Sequence, residues 1–232
     1  MTKAAIFDLD GTLFTGHTWQ GVMRYLRRQR RNRRWLVLLL VTHVPLGYLA
    51  RAGLAGRGRM RTTWARHMSW ALRGMSEAEV GDAFEWIADV YAAPLFRSDV
   101  VALLREHKRR GDRVVLLSGT FEPLLEMIAA RLGAEVAIGT RLAVRDGVYT
   151  GRTVEPTCQG EGKAERLREY LAGPGRDIDR SRSTAYADSV FDLPVLEMVG
   201  RPVAVYPDDE LAATARERAW TILPATGASA AG

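Results

Sequence analysis

The chain has 232 residues, 47% of them hydrophobic, enough to bury one full core with room for a smaller attached unit and too apolar for a disordered chain. Its single cysteine, Cys158, excludes an internal disulfide framework and makes a reducing compartment the default; Thr157 and Gln159 beside it offer no nucleophile context, so an inert thiol is expected. The net charge of +6 is unevenly spread: no Asp or Glu occurs from Gly11 through Ser76 while thirteen arginines do, and the remainder holds twenty Lys or Arg against all 27 acids.

Taken in order, Met1-Thr2-Lys3 leads directly into a strand, with no cleavable apolar leader before it. Ile6 and Phe7 give that strand its apolar run, and Gly11 stops it after the carboxylates Asp8 and Asp10. Gly16 to about Phe96 reads as helical. It opens with a basic run, Tyr25 to Arg34, followed by the apolar Trp35-Leu36-Val37-Leu38-Leu39-Leu40-Val41. A bilayer span needs ~20 apolar residues, and Thr42, His43 and Pro45 break this stretch well short of that. Gly53, Gly56 and Gly58 mark a loop, and a second helix covers roughly Met60 to Leu72. Ser76 with Glu79 forms a capping-box signature for a helix to about Tyr91.

From Ser98 helices and strands alternate. Ser98 is expected to cap a helix through Arg109, stopped by Gly111. Arg113 to Leu117 is a short buried strand ending at Ser118-Gly119-Thr120, and Glu122 to Leu132 is a helix ending at Gly133. Val136–Val144 and Val148–Val154 read as one hairpin about Asp146-Gly147. Helix Gly162–Leu171, strand Thr184–Ala187, helix Asp192–Val199, strand Pro202–Tyr206, helix Asp208–Ala219 and strand Thr221–Leu223 complete the body. This is an α/β pattern: a parallel sheet flanked by helices, with an all-helical cap inserted after the first strand. The expected division is a core of 1–15 and 97–224, a cap of 16–96 and a flexible tail of 225–232.

The chemistry gathers at strand ends. Asp8 and Asp10 lie two apart, so on extended backbone both carboxylates leave one face and repel unless a cation or proton intervenes. Ser118 offers a hydroxyl beside Gly119, whose missing side chain lets a ligand approach the backbone. Asp188 closes a strand and could complete, with Asp8 and the Asp10 carbonyl, the hard oxygen site that magnesium prefers. Asp192 follows four later. The chain uses lysine three times against thirty arginines, and Lys163 stands near a helix start, where a compact ammonium can meet phosphate and carboxylate together. Each feature alone is an ordinary turn, cap or solvated residue; their sequence at consecutive strand ends is the signal.

Asp8-Leu9-Asp10-Gly11-Thr12, Ser118-Gly119-Thr120, Lys163 and Asp188-Ser189-Val190-Phe191-Asp192-Leu193-Pro194 together resemble the four motifs of haloacid dehalogenase superfamily phosphatases. The position of the cap matches the branch that includes phosphoserine phosphatases. The resemblance implies a Rossmann-like core and magnesium-dependent hydrolysis of a phosphomonoester. Asp8 would be the nucleophile, forming an aspartyl-phosphate. Asp10 would be the acid and then the base, a carboxylate that the dehalogenases lack. Gly11, Thr12, Ser118, Gly119, Thr120 and Lys163 would bind the phosphate, with Lys163 also holding Asp8. Asp8, the Asp10 carbonyl and Asp188 would hold Mg2+, and Asp192 would orient Lys163 or a metal-bound water. One departure concerns the substrate: phosphoserine phosphatases carry a glutamate shortly after the first motif for the substrate ammonium, and Phe14-Thr15-Gly16-His17-Thr18-Trp19 has no acid. A small or amphiphilic phosphate, lipid phosphates included, is therefore expected rather than phosphoserine. Phosphotransfer by the same residues, and a non-catalytic binding module, are the alternatives.

Three surroundings suit the basic cap. Its arginines are simply solvated while Trp35–Leu40 packs inside it, or it lies on an anionic membrane from the cytoplasmic side, or it binds nucleic acid. The last ranks lowest, because Tyr25 and Trp35 only flank the basic run. The apolar helix could equally serve as a homodimer surface.

Overall fold

A computed structural model of the chain describes residues 2–51, 57–173 and 177–224. Strand β1 (Ala4–Phe7) is wholly buried. Beyond it the backbone turns back on itself, with Gly11 N–H donating to Phe14 O (2.9 Å) and Phe14 N–H to Leu9 O (3.1 Å), so Leu9, Leu13 and Phe14 re-enter the core while Asp8 and Asp10 stay at the edge. The chain leaves for the helical insert at Thr15 and returns at Arg97, and the two crossings are paired: Thr15 N–H donates to Leu95 O and Arg97 N–H to Leu13 O, both at 2.9 Å.

The insert contains α1 (Thr18–Arg28), α2 (Arg33–Arg51), α3 (Arg57–Met68) and α4 (Glu77–Trp86), the last prolonged by a π-helical turn, Ile87–Ala92. The α4 capping box forms as expected: Ser76 Oγ accepts from Glu79 N–H (3.2 Å), and Glu79 Oε2 accepts from Ser76 N–H (2.9 Å). Helix α2 runs through Pro45. Its apolar run packs on one side only, with Leu36 and Leu39 buried and Val37, Leu38, Leu40 and Val41 exposed. Gly58 lies in α3, while Gly53 and Gly56 of the expected loop fall outside the described residues, as does the tail from 225 onward.

Helix α5 (Ser98–Arg109) starts with Ser98 as its first residue; Arg97 stands at the cap position, so Ser98 does not cap it. Strand β2 (Arg113–Phe121) runs four residues beyond the expected end, because Ser118-Gly119-Thr120 stays extended with a register shift against its neighbour. Helix α6 (Glu122–Leu132) follows and ends at Gly133, whose φ of +74° is a left-handed stop. Strand β3 (Val136–Thr140) joins the parallel sheet, so the expected hairpin shortens to β4 (Leu142–Arg145) and β5 (Val148–Thr153), turning on Asp146-Gly147 with positive φ at both. That hairpin reaches the insert, where Ser69 Oγ donates to Gly151 O at 2.8 Å. Helix α7 (Glu161–Ala172), strand β6 (Thr184–Ala187), the one-turn α8 (Leu193–Leu196), β7 (Arg201–Val205), α9 (Asp209–Glu217) and β8 (Thr221–Leu223) complete the chain.

The six-stranded sheet has the order β3-β2-β1-β6-β7-β8, all parallel, with β1 near its middle. This is the expected α/β Rossmann-like fold. The chain winds outward from β1 to β3, then resumes on the other side at β6, so the carboxyl ends of β1, β2 and β6 flank the crevice where such sheets bind ligands. One core lies against Ala4, Ile6, Val115 and Leu117, and the other against Ala5, Phe7, Val114 and Leu116. The second core continues without a break into Val22, Leu26, Leu39, Leu72 and Phe84 of the insert.

A buried polar chain ties α5 to this sheet. His107 Nδ1 lies 2.8 Å from Asp112 Oδ2 and Nε2 lies 2.7 Å from Tyr186 Oη, while the Tyr186 ring stacks on Phe7 at 4.4 Å. A carboxylate only accepts, so His107 donates from Nδ1 and receives the Tyr186 hydroxyl at Nε2. Burial pushes the Tyr186 phenol up to about 12, which keeps it a donor. The variant Tyr186→Phe keeps the stacked ring but removes that donor. Unfolding in urea is expected to show a loss of about 1–2 kcal/mol.

Candidate active site

The residues singled out in the sequence meet at the carboxyl edge of the sheet. Asp8 follows β1, Ser118 lies late in β2, Asp188 follows β6 and Asp192 precedes α8. Lys163, two residues into α7, reaches across beneath them: its Nζ donates to Asp8 Oδ1 at 2.8 Å and to Asp192 Oδ1 at 2.6 Å. All three side chains are at least nine-tenths buried. Burial works against the ammonium, but the Asp192 and Asp8 carboxylates outweigh it and hold Lys163 protonated, above its ordinary range. Asp192 spends its carboxylate there rather than on a helix cap.

Asp188 receives the Thr12 hydroxyl at 2.9 Å. Burial, then the charge of Asp8, raises its pKa well above the usual carboxylate range. Gly11 makes its approach feasible: with φ +91° and no side chain it leaves room that a Cβ would fill by colliding with the Asp188 carboxylate. Among the described residues, Asp8, Asp188 and Asp192 place carboxylate oxygens within 4.8 Å of one another. Three carboxyl groups thus gather around one ammonium at the wall of a cavity. That donor set fits a hard divalent cation such as magnesium.

Asp10 is set apart from its neighbour. Its carboxylate receives Thr18 N–H at 3.1 Å and the Thr18 hydroxyl at 2.9 Å, from the first residue of α1 in the insert. Burial and the charge of Asp8 push its pKa up to about 7, and the Thr18 hydrogen bonds only partly oppose them. Thr18 was not among the expected site residues. Its signal was available: a hydroxyl residue opening the first helix after the carboxylate pair.

Ser118 is buried, and Thr120 N–H donates to its hydroxyl at 3.3 Å. Gly119 faces the Gln159 amide so closely that any side chain would strike it. Because β2 stays extended through Phe121, Ser118 and Gly119 lie within the strand and α6 begins at Glu122, as its residues predict. The cavity over these groups has about 430 Å³ and is walled by His17, Trp19, Trp64 and Gln159, with Asp208 at its edge. Trp19 and Trp64 meet edge to face at 5.4 Å. Sequence reasoning missed these walls, as the pairing of α1 with α3 has no local signature. Cys158 is buried and its thiol is pushed up to about 12 by burial, in accord with the expected inert role.

Residues 5–197 match the family described as haloacid dehalogenase-like hydrolase. The phosphoserine phosphatase SerB1 of Mycobacterium tuberculosis is 34% identical over 227 residues, covering 96% of this chain and 70% of that protein. A histidinol-phosphatase of Neisseria meningitidis is 31% identical, covering 96% of this chain and 99% of its own. A crystal structure from Bordetella pertussis Tohama I, of a protein described as having unknown function, superposes with a TM-score of 0.79 at 30% identity, covering 96% and 98% of the two chains. The chain belongs to the haloacid dehalogenase-like hydrolase family and is one of its phosphatases.

Replacing Lys163 by Met should strand Asp8 and Asp192 beside Asp188 with no buried cation. Thermal melting in chelator is expected to show a loss of about 3–5 kcal/mol, and millimolar magnesium should recover part of it. A variant as stable as wild type in chelator would show that the ammonium does not hold the carboxylates in place.

Proposed function

We propose that the protein hydrolyses a phosphomonoester through an aspartyl-phosphate on Asp8. The observation that carries this reading is the different treatment of two neighbouring carboxylates. Asp8 is held by the Lys163 ammonium, and Asp10 is buried, bound to Thr18 and raised to about 7. Two neighbouring carboxyls given such different surroundings can divide the roles of nucleophile and acid. In this reading residues 16–96 form a lid over the core of 1–15 and 97–224.

The substrate phosphoryl group enters the cavity with its oxygens toward Ser118, the Gly119–Thr120 backbone, Lys163 and the Gly11–Thr12 turn. An Asp8 oxygen attacks phosphorus while the ester P–O bond breaks, and protonated Asp10 delivers its proton to the departing oxygen. Asp10, now a carboxylate, takes a proton from water as that water attacks the phosphorus. Asp8 is released with inorganic phosphate. Asp8, Asp188 and the Asp10 carbonyl would hold Mg2+, which supplies charge neutralisation that lets a carboxylate approach a dianion. Asp192 keeps Lys163 turned toward Asp8.

For the leaving group we favour a flat or apolar moiety over phosphoserine. Two relatives carry the names of different substrates, phosphoserine and histidinol phosphate, so similarity alone does not choose. No acid occurs from Gly11 through Ser76 to meet a substrate ammonium. Trp19 and Trp64 wall the cavity, and a small adjoining pocket that shares them with it, beside Asp10, is lined also by Val22, Met68 and Phe121. An amphiphilic or lipid phosphate belongs to the same class. The hydroxyl acceptor of a phosphotransferase would use the same groups in place of water.

The protein with magnesium should release phosphate from p-nitrophenyl phosphate. Asp8→Asn should lower kcat by about 10³-fold or more, and chelation should abolish turnover until magnesium is returned. Equal activity in Asp8→Asn would refute the mechanism. Asp10→Asn should cost far more with an alkyl phosphate than with p-nitrophenyl phosphate, because nitrophenolate departs without a proton; equal losses would remove Asp10 as the acid. Trp64→Ala should raise KM for aryl phosphates by about tenfold with kcat little changed, and phosphoserine should be the poorer substrate of the wild-type protein in a panel of monoesters.

A further inference from the structure

Helix α2 is apolar on both sides, which a helix at a protein surface is not unless something covers it. Leu36 and Leu39 are buried in the insert, whereas Val37, Leu38, Leu40 and Val41 are exposed, Val37 by 58% and Val41 by 65%. At the helical spacing these four share the outward half of α2 with Arg33 and Arg34 of its first turn. The polar side chains that follow are turned inward: the Thr42 hydroxyl donates to Leu38 O at 2.8 Å, and His43 is buried with its Nδ1 3.0 Å from Leu39 O. Between α1 and α2 lies an apolar groove of about 970 Å³, floored by Met23, Val37 and Leu40 and rimmed by Arg24, Arg27 and Arg33.

We propose that this face docks on an anionic lipid surface, with Val37, Leu38, Leu40 and Val41 in the acyl boundary and the arginines on the headgroups. An apolar strip bordered by cations, with no acid from Gly11 through Ser76 to oppose them, has the chemistry of an interfacial helix. Among the described residues no helix is long and apolar enough to cross a membrane, so α2 lies in the interface plane. A second copy is the weaker occupant, because a two-fold contact over this face would press one arginine rim against another. Nucleic acid would be drawn to the arginines but leaves the valines and leucines in water.

The test is sedimentation of the full chain with vesicles of phosphatidylglycerol and phosphatidylcholine, against vesicles of phosphatidylcholine alone. Binding is expected to the anionic vesicles only. It should weaken by about tenfold or more in the double variant Val37→Asp/Val41→Asp and again in Arg27→Glu/Arg33→Glu, since apolar insertion and charge act together. Turnover of a soluble aryl phosphate should be unchanged in Val37→Asp/Val41→Asp, which shows the fold intact, and Asp8→Asn should bind vesicles as wild type does, which separates docking from catalysis. Absence of binding at low salt overturns the proposal. So does equal binding by Val37→Asp/Val41→Asp, which would mean charge adsorption alone. It is likewise overturned by light scattering that finds a dimer dissolved by the same variant, or by tight retention of an RNA oligonucleotide, if either comes without vesicle binding.

Discussion

A single buried ammonium organises the protein. Lys163 holds Asp8 and Asp192 at 2.8 and 2.6 Å in a place where unpaired charges are costly, and it can do so only if three separate pieces of chain converge. The end of β1, the first turn of α7 and the start of α8 must all reach one edge of the sheet. The parallel order with β1 near its middle achieves that, since strand ends on either side of β1 share one crevice. The ammonium still falls short of the charge it faces. With Asp188 beside the pair, three carboxyl groups gather around one ammonium, a donor set that fits a hard divalent cation.

The second constraint is local to one strand. Asp8 and Asp10 start from the same extended geometry, yet Asp8 is turned to Lys163 and Asp10 to Thr18 of the insert. The different surroundings of the two carboxylates therefore depend on a helix that lies outside the α/β core. The paired crossings at Thr15–Leu95 and Leu13–Arg97, together with a hydrophobic core continuous from the sheet into α1, α2 and α4, hold Thr18 where it is needed.

Much of this was legible in the sequence because it is carried by short motifs with local physics. Asp8, Asp188 and Lys163 could be placed from strand ends and helix starts, and α6 begins and ends where its residues predict. The errors share a cause. Ser118-Gly119-Thr120 looked like a turn because it contains Ser and Gly, but pairing with β3 keeps it extended. Val136–Thr140 looked like half of a hairpin, but a place in the parallel sheet outweighs a local turn signal. The aromatic walls Trp19 and Trp64 have no local signature at all, since their contact joins helices far apart in the chain.

The charge asymmetry that first set the insert apart has little to do with the phosphate. Among the described residues lining the catalytic cavity there is no arginine: the only fixed cation is Lys163, and the rest of the lining is carboxylate, hydroxyl, amide and aromatic. The arginines from Arg24 to Arg34 lie on the outer side of α1 and α2, exposed, several of them over aromatic rings, as Arg28 is over Trp86 and Arg34 over Trp35. A phosphatase that needed them for substrate would aim them inward, where low dielectric makes each charge count most. They face outward beside the exposed Val37, Leu38, Leu40 and Val41 of α2. Trp19 is the one side chain that lines both the catalytic cavity and the outer groove. The insert thus presents two chemically different surfaces, an aromatic one toward the cavity over Asp8 and Asp10 and a cationic, apolar one on its outer side.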